Sequence, residues 1–171
     1  MNIYPSFTSL RSFISYKFSI VRMSALRDSF WAKLTGLDSK LEVFPGKAQR
    51  ISPSRKLIGM KEIRVDQIVG TFNRGHDFDH QFRPLKKHMS NRWVNAFITL
   101  ERDGWAPILV HKVGEQYFVE DGHHRVSVAR SIGMVFIEAK VWEYTAQSKH
   151  TETCQSANCP ERSSSKTYAT G

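Results

Sequence analysis

The chain has 171 residues, with 25 Lys and Arg against 16 Asp and Glu and a formal net charge of +9. Its length suits one ordinary domain with tails, its 40% hydrophobic content excludes wholesale disorder, and it has no apolar run long enough to span a membrane. Its two cysteines, Cys154 and Cys159, lie in a polar tail, which disfavours a disulfide-stapled secreted scaffold and favours a cytoplasmic protein.

The basic excess lies in the N-terminal third of the sequence. Residues 1–60 contain ten basic and three acidic residues, whereas residues 61–144 contain twelve and eleven. Nucleic-acid-binding domains usually concentrate their basic residues on the folded part. The charge therefore predicts no more than a weak nucleic-acid contact through the basic N-terminal segment, and we expect no membrane partner.

Residues 1–26 are rich in serine and basic residues and contain no acidic residue. This composition is typical of an organelle transit peptide. The alternative interpretation is an N-terminal extension that precedes the true start at Met23. Under both interpretations we expect residues 1–26 to lie outside the fold.

A short helix and a linker are predicted next, within residues 27–60. Phe30, Trp31 and Leu34 have helical spacing, and Gly36 would end a helix over residues 27–36. The Pro and Gly content of residues 37–60 indicates a loop or linker.

Residues 61–145 carry the patterns of a folded domain. Residues 63–69 predict a strand, and apolar residues recurring from 85 to 100 predict an amphipathic helix that ends at 103–104. Strands are predicted at 107–110 and 117–119, joined as a hairpin. A helix at 123–132 and a last strand at 135–141 follow. This order predicts an α+β fold, a small mixed sheet with flanking helices, followed by a disordered polar tail at 146–171.

The segment with the most chemical character is Glu120-Asp121-Gly122-His123-His124-Arg125, between a predicted strand and a predicted helix. A helix N-terminus attracts anions, Gly122 allows close backbone approach, and Arg125 suits phosphate oxygens. The histidines can move protons near neutral pH, and Asp121 can accept a proton, hold a divalent cation or cap the helix. The alternative is an ordinary Asp-Gly turn with exposed histidines, and the spacing leaves both interpretations open.

A second polar cluster, His76, Asp77, Asp79 and His80, precedes the first predicted helix of the domain. Nitrogen and oxygen ligands at this spacing suit zinc or manganese. The alternatives are a solvated loop in which Asp79 caps the next helix, and a Mg²⁺ ion carried in by a nucleotide and touched by Asp77 or Asp79. We favour the last of these over a permanent metal site. Arg74 either reaches the same phosphate or stays solvated.

The stretch 107–130, Pro-Ile-Leu-Val-His-Lys-Val-Gly-Glu-Gln-Tyr-Phe-Val-Glu-Asp-Gly-His-His-Arg-Val-Ser-Val-Ala-Arg, resembles the core of the ParB/sulfiredoxin superfamily. In that superfamily a hairpin leads into a Gly-x-x-Arg turn and then a helix. Residues 63–69, Ile-Arg-Val-Asp-Gln-Ile-Val, resemble the strand that opens ParB N-terminal domains. More narrowly, residues 69–71, 77–79 and 117–130 resemble a bacterial group of single-domain ParB-like proteins.

The resemblance implies a nucleotide site, for CTP, ATP or ADP with Mg²⁺. The Gly-Glu-Arg-Arg turn of ParB proteins contacts the triphosphate of CTP, and Gly122, His123, His124 and Arg125 take its place here. Resemblance to the free-serine-kinase branch implies phosphoryl transfer or nucleotide hydrolysis, with catalytic residues Asp121, Glu120 and His123. Phosphate would be held by the residues of this turn and by Arg74.

Three departures limit what the resemblance implies. His123 stands where sulfiredoxins have their reactive cysteine, so we expect no sulfiredoxin activity. His124 replaces an arginine, which leaves triphosphate charge less well balanced. Residues 145–171 are too short and polar for the helix-turn-helix reader of ParB proteins, so site-specific DNA binding is not expected. The alternative function is a non-enzymatic, DNA-associated or regulatory binding module.

Overall fold

The computed structural model describes residues 9–37, 39–44, 51–73 and 75–146. The elements of this part of the chain are α1 (Leu10–Thr35), β1 (Glu42–Val43), β2 (Ile51–Arg64), β3 (Ile68–Thr71), α2 (Ser90–Asp103), β4 (Ile108–Val113), β5 (Gln116–Asp121), α3 (His123–Ser131) and β6 (Phe136–Ala146). Short 3₁₀ turns at Val65–Gln67 and Lys87–Met89 precede β3 and α2. None of these helices is long and apolar enough to cross a membrane.

One mixed sheet contains all six of these strands in the order β1-β3-β5-β4-β6-β2. The β4–β5 hairpin is antiparallel and lies at its centre, β3 runs parallel to β5, and β6 runs parallel to β4. The carboxyl ends of β3 and β5 therefore lie at the same edge, beside the start of β4. The turn into α3 begins at this edge, which places residues 121–125 where three central strands meet.

The three helices supply the buried residues that face one side of the sheet. Trp93 of α2 is fully buried, packs against Phe18 of α1 with ring centroids 5.8 Å apart, and donates a hydrogen bond of 3.0 Å to Ser127 of α3. Val110, Val119 and Val141 lie beneath the helices in the same core. The predicted α+β class, with a mixed sheet and flanking helices, is confirmed.

Helix α1 is longer than the sequence predicts, since it begins at Leu10 rather than at residue 27. Ile14 and Phe18 are 0% and 3% exposed and belong to the main core. The serines that made this segment resemble a targeting peptide fit within the helix, because Ser15 and Ser19 donate to backbone carbonyls four residues earlier. Residues 10–26 therefore belong to the described fold, contrary to our expectation, whereas the transit-peptide and late-start interpretations stay predictions.

A second difference concerns residues 51–64, which form the long strand β2 instead of a linker. β2 pairs with β6 in antiparallel register from Ile51 opposite Ala146 to Arg64 opposite Phe136. The ladder is irregular near Gly59, which has φ 107° and breaks the alternation that would identify a strand. The predicted disordered tail, apart from Ala146, and both cysteines lie outside the described residues.

If α1 is an integral layer of the core, Phe18→Ala should lower the free energy of unfolding by about 3–5 kcal/mol, as for other buried Phe truncations. Phe30→Ala is the matched control, because Phe30 lies on the same helix but is 65% exposed, and it should cost less than about 1 kcal/mol. Urea unfolding of the full chain measures both values. Equal, small effects would show that α1 does not contribute to the core.

Candidate functional site

The junction between β5 and α3 is built on a glycine that no other residue can replace without strain. Gly122 has φ 103° and ψ 17°, a left-handed conformation that favours glycine. A Cβ atom at this position would lie 2.5 Å from Cγ2 of Ile108, at the start of β4. No side chain caps the N-terminus of α3, because its N-cap residue is Gly122 itself.

A cavity of about 490 Å³ lies at this junction. One wall is the turn itself, Asp121 to Arg125, and the loop at Trp105 and Ala106 adds a second. Helix α2 forms the third wall with four residues at helical spacing: Arg92, Asn95, Ala96 and Thr99. The indole Nε1 of Trp105 donates a 2.7 Å hydrogen bond to the carbonyl of Ala96, which fixes the orientation of its ring.

Arg125 joins the turn to the loop before β4. Its guanidinium donates to the backbone carbonyls of Ala106 and Pro107, and it forms a 2.7 Å ion pair with Asp121. The Arg125 side chain is only 18% exposed, whereas that of Asp121 is 77% exposed. Arg125 therefore holds the cavity wall in place, and much of its hydrogen-bonding capacity is already used. Its predicted phosphate contact stays a prediction.

His123 begins α3, but its imidazole points into the protein. The residue is buried, its Nε2 lies 2.7 Å from the hydroxyl of Thr71 on β3, and its ring stacks on Phe78. These contacts hold α3 against β3 and against the loop that contains Phe78. The side chain is thus positioned to support the turn, which argues against the proton-transfer role that we predicted for it.

His124 connects the cavity to a smaller recess of about 210 Å³. Asp77, His88, Met89 and Arg92 line this recess together with His124. The carboxylate of Asp77 forms an ion pair of 2.7 Å with Lys86. The structure therefore places Asp77 near His124 of the turn, with its carboxylate neutralised by Lys86, and its contact with Mg²⁺ stays a prediction.

Asp79 is placed differently from both of its predicted roles. It is 1% exposed and accepts hydrogen bonds from the backbone N–H groups of Gln81 and Arg83 and from the Arg83 guanidinium. It does not cap a helix, since α2 begins only at Ser90. Its buried pairing with Arg83 also leaves it outside the cavity lining, which argues against contact with a nucleotide-bound Mg²⁺.

A permanent metal site finds no support in the described part of the chain. No group of three or more His, Cys, Asp or Glu side chains there is arranged to hold a metal ion. Arg74, the remaining predicted phosphate ligand, lies outside the described residues.

Glu120 lies on the other face of the sheet from the cavity. Side chains alternate along β5, so Glu120 and Asp121 point in opposite directions, and Glu120 Oε2 lies 2.6 Å from Nε2 of His111 on β4. Its predicted catalytic role at the turn is therefore not supported by its position. The aromatic rings around His111 are those of Phe44, Phe72 and Tyr144.

Two groups of residues at these sites were missed by the sequence analysis. Arg92, Ala96 and Thr99 share one face of α2, and their helical spacing beside the predicted core stripe was the available signal. The pairing of His111 with Glu120 follows from the hairpin, since His111 is opposite Phe118 in the ladder. Glu120 follows Phe118 by two residues in β5 and therefore lies on the same face of the sheet, which brings its carboxylate within reach of His111.

No protein-family model and no curated protein matches this chain. Among solved structures, sulfiredoxin from Arabidopsis thaliana is similar over 48% of this chain and 82% of its own length, with 20% sequence identity and a TM-score of 0.37.

Gly122→Ala should destabilise the protein more than an alanine at another glycine of positive φ. Gly133, with φ 74° and open space around its Cβ position, is the matched control. Because only the Gly122 variant adds a clash with Ile108 to the backbone strain, we expect it to lose about 1–3 kcal/mol more than Gly133→Ala. Urea unfolding measures both losses. Equal losses would mean that the close approach to β4 does not constrain the turn.

The stability of the protein should fall on acidification through the His111–Glu120 pair. Burial lowers the pKa of His111 from its ordinary value of 6.5, and the hydrogen bond to Glu120 opposes this shift only in part. The unfolded chain then takes up a proton at His111 near pH 6.5, where the folded chain does not. The contribution to stability is complete above this pH and is lost as the pH falls toward the folded pKa.

His111→Gln should therefore reduce the difference in unfolding free energy between pH 7.5 and pH 5.5. Urea unfolding at both pH values measures this difference. An unchanged pH dependence in His111→Gln would refute the assignment.

Proposed function

We propose that the cavity between α2 and the 121–125 turn binds a phosphate-bearing ligand of nucleotide size. The observation that carries the proposal is the N-terminus of α3, which has no side-chain cap and opens onto this cavity of about 490 Å³. Backbone N–H groups of a helix's first turn and the positive end of its dipole favour phosphate. The cavity volume lies within the range of small-molecule sites.

The side chains that line the cavity offer such a ligand both polar groups and a flat aromatic ring. Arg92 supplies a cation from the exposed surface of α2, and it replaces Arg125 as the main candidate for a phosphate contact because Arg125 is engaged by the cavity wall. Trp105 presents an oriented indole on which a nucleobase could stack. Asn95 and Thr99 offer hydrogen-bonding groups on the α2 wall.

Mg²⁺ is compatible with this arrangement when it arrives with the nucleotide. Mg²⁺ usually takes one or two protein carboxylates together with substrate phosphates, and Asp121 is an exposed carboxylate in the cavity lining. The ion would supply charge neutralisation for the phosphates. Asp121 is also the one predicted catalytic acid among the residues that line the cavity, so it would carry any hydrolysis or phosphoryl transfer, with its carboxylate held by Arg125.

Binding without chemistry is the second candidate function. The positions of Glu120, on the other face of the sheet, and of the His123 ring, bonded to Thr71, favour it. In this form the domain is a regulatory or DNA-associated module whose state depends on the bound nucleotide.

The full chain should be stabilised by one of CTP, ATP, ADP or GTP, measured by thermal shift with and without Mg²⁺. A ligand at a hundred times its Kd adds about 2.7 kcal/mol, which corresponds to a rise in Tm of roughly 5–10 °C for a chain of this size. Arg92→Ala should weaken binding about tenfold or more, because it removes a charge-assisted hydrogen bond.

The matched control is Arg102→Ala, since Arg102 is exposed near the end of the same helix and is absent from the cavity lining. It should bind like the wild type. The proposal fails if no nucleotide raises the Tm, or if the two variants weaken binding equally. A phosphate-release assay with the stabilising nucleotide then decides between the catalytic and the non-enzymatic form.

A further inference from the structure

Helix α1 has a second apolar face, which lies opposite the face that enters the core. Its exposed positions follow one another in steps of four, three, four, three and four residues. We call this row the α1 seam; its members are Tyr16, Ile20, Met23, Arg27, Phe30 and Leu34. The exposure of its five apolar members runs from 44% at Tyr16 to 68% at Leu34.

The exposed apolar area of the α1 seam approaches that of a protein interface. If a large side chain contributes about 200 Å², the five apolar members together expose on the order of 600 Å². Leu26 and Trp31 flank the seam, are 37% and 56% exposed, and extend this area. A specific interface buries about 800 Å² on each partner. Apolar patches of this size on a soluble protein mark interaction sites, whereas single exposed apolar residues are ordinary.

The spacing of the α1 seam indicates the shape of what covers it. Steps of four and three residues are those between the a and d positions of a heptad repeat, here sustained over more than two heptads. The side chains of such a row insert between those of a facing helix. The geometry therefore favours an α-helix as the occupant.

The order of the steps makes the α1 seam complementary to an antiparallel copy of itself. The series four, three, four, three, four is the same from either end of the helix. A two-fold axis at position 25 therefore places positions 16, 20 and 23 of one chain opposite positions 34, 30 and 27 of the second copy. Tyr16 then meets Leu34, and Ile20 meets Phe30, so each of these layers pairs an aromatic ring with an aliphatic side chain.

The charges of α1 are compatible with this pairing. Three of its five basic residues, at positions 11, 17 and 22, are engaged by the domain itself. Arg27 lies in the seam, but its guanidinium forms an ion pair of 3.1 Å with Asp28 of the same helix. Antiparallel pairing places Arg27 beside Met23 of the second copy, where its aliphatic stem packs while its charge stays with Asp28. Parallel pairing would instead bring two Arg27 side chains together.

We infer that the α1 seam is a dimerisation surface, on which two copies of this chain pair their α1 helices in antiparallel orientation. Because Ile14 and Phe18 enter the core from the opposite side of α1, each domain lies on the outer side of the helix pair. This surface is separate from the proposed nucleotide site, and it goes beyond the partners expected from the sequence.

Analytical ultracentrifugation of the full chain should show a concentration-dependent dimer in the micromolar range. Ile20→Lys and Phe30→Glu should each shift the equilibrium to monomer, because each places a charge against an apolar side chain of the second copy. A mixture of the two variants should dimerise about tenfold or more tightly than either variant alone. Only antiparallel pairing brings the lysine of one variant opposite the glutamate of the other.

Phe136→Glu is the matched control, because Phe136 is an exposed phenylalanine of β6 that lies outside the seam, and this variant should dimerise like the wild type. Circular dichroism establishes that each variant folds. A wild-type chain that stays monomeric would overturn the inference, and its cosedimentation with phosphatidylglycerol vesicles would assign the seam to a membrane instead. The inference also fails if either single variant dimerises like the wild type, or if mixing the two restores no dimer.

Discussion

The contact between Gly122 and Ile108 is the constraint on which the candidate site depends. It lets the end of β5 pass against the start of β4 at a distance that no Cβ atom allows, so α3 begins directly at the sheet edge. Arg125 then fastens the first turn of α3 to the carbonyls before β4. The cavity lies between this junction and helix α2. The strictest structural requirement of the cavity is thus the backbone conformation of Gly122, and the side chains that line it supply its chemistry.

The alternation of side chains along β5 separates two acids that are adjacent in sequence. Asp121 turns toward the helices and the cavity, and Glu120 turns toward His111 on the opposite face. Consequently the motif 120–125 is not a single functional unit. Glu120 pairs with His111 inside an aromatic cluster, and His123 makes a hydrogen bond with Thr71 in the core. Gly122, His124 and Arg125 shape the cavity. A change at His111 would reach the cavity only through the sheet, whereas Arg92 lines it directly.

The sequence carries enough information to predict the α+β fold from residue 63 onward, because strand alternation, the Trp93 stripe and the Gly-bounded hairpin all point to the same arrangement. The sequence does not predict the full length of α1, because its serine hydroxyls donate to carbonyls of the helix backbone and serine-rich composition does not indicate this. It does not predict β2 either, because the strand pattern is interrupted at Gly59. The turn at 121–125 was predictable as a strand-to-helix junction. The direction of each side chain at this junction could not be predicted from the sequence. Arg92 and Trp105 line the cavity although they lie in segments distant from the turn in the chain. Asp79 lies outside the cavity because it accepts a hydrogen bond from Arg83.

Helix α1 shows why its sequence was difficult to interpret. One face, with Ile14, Phe18 and Ala25, enters the core. The opposite face also carries large apolar residues, among them Met23 and Phe30, so apolar residues surround much of the helix and no single stripe dominates. A helix that is apolar on two sides is stable in water only if the second side costs little or is covered. Three of the five basic residues of α1 are engaged by the domain itself: Arg11 donates to Asn95, Arg22 donates to the carbonyl of Leu85, and Lys17 lies over the ring of Phe97. Much of the basic charge of α1, which by composition predicted a weak nucleic-acid contact, is therefore part of the packing between this helix and the rest of the domain.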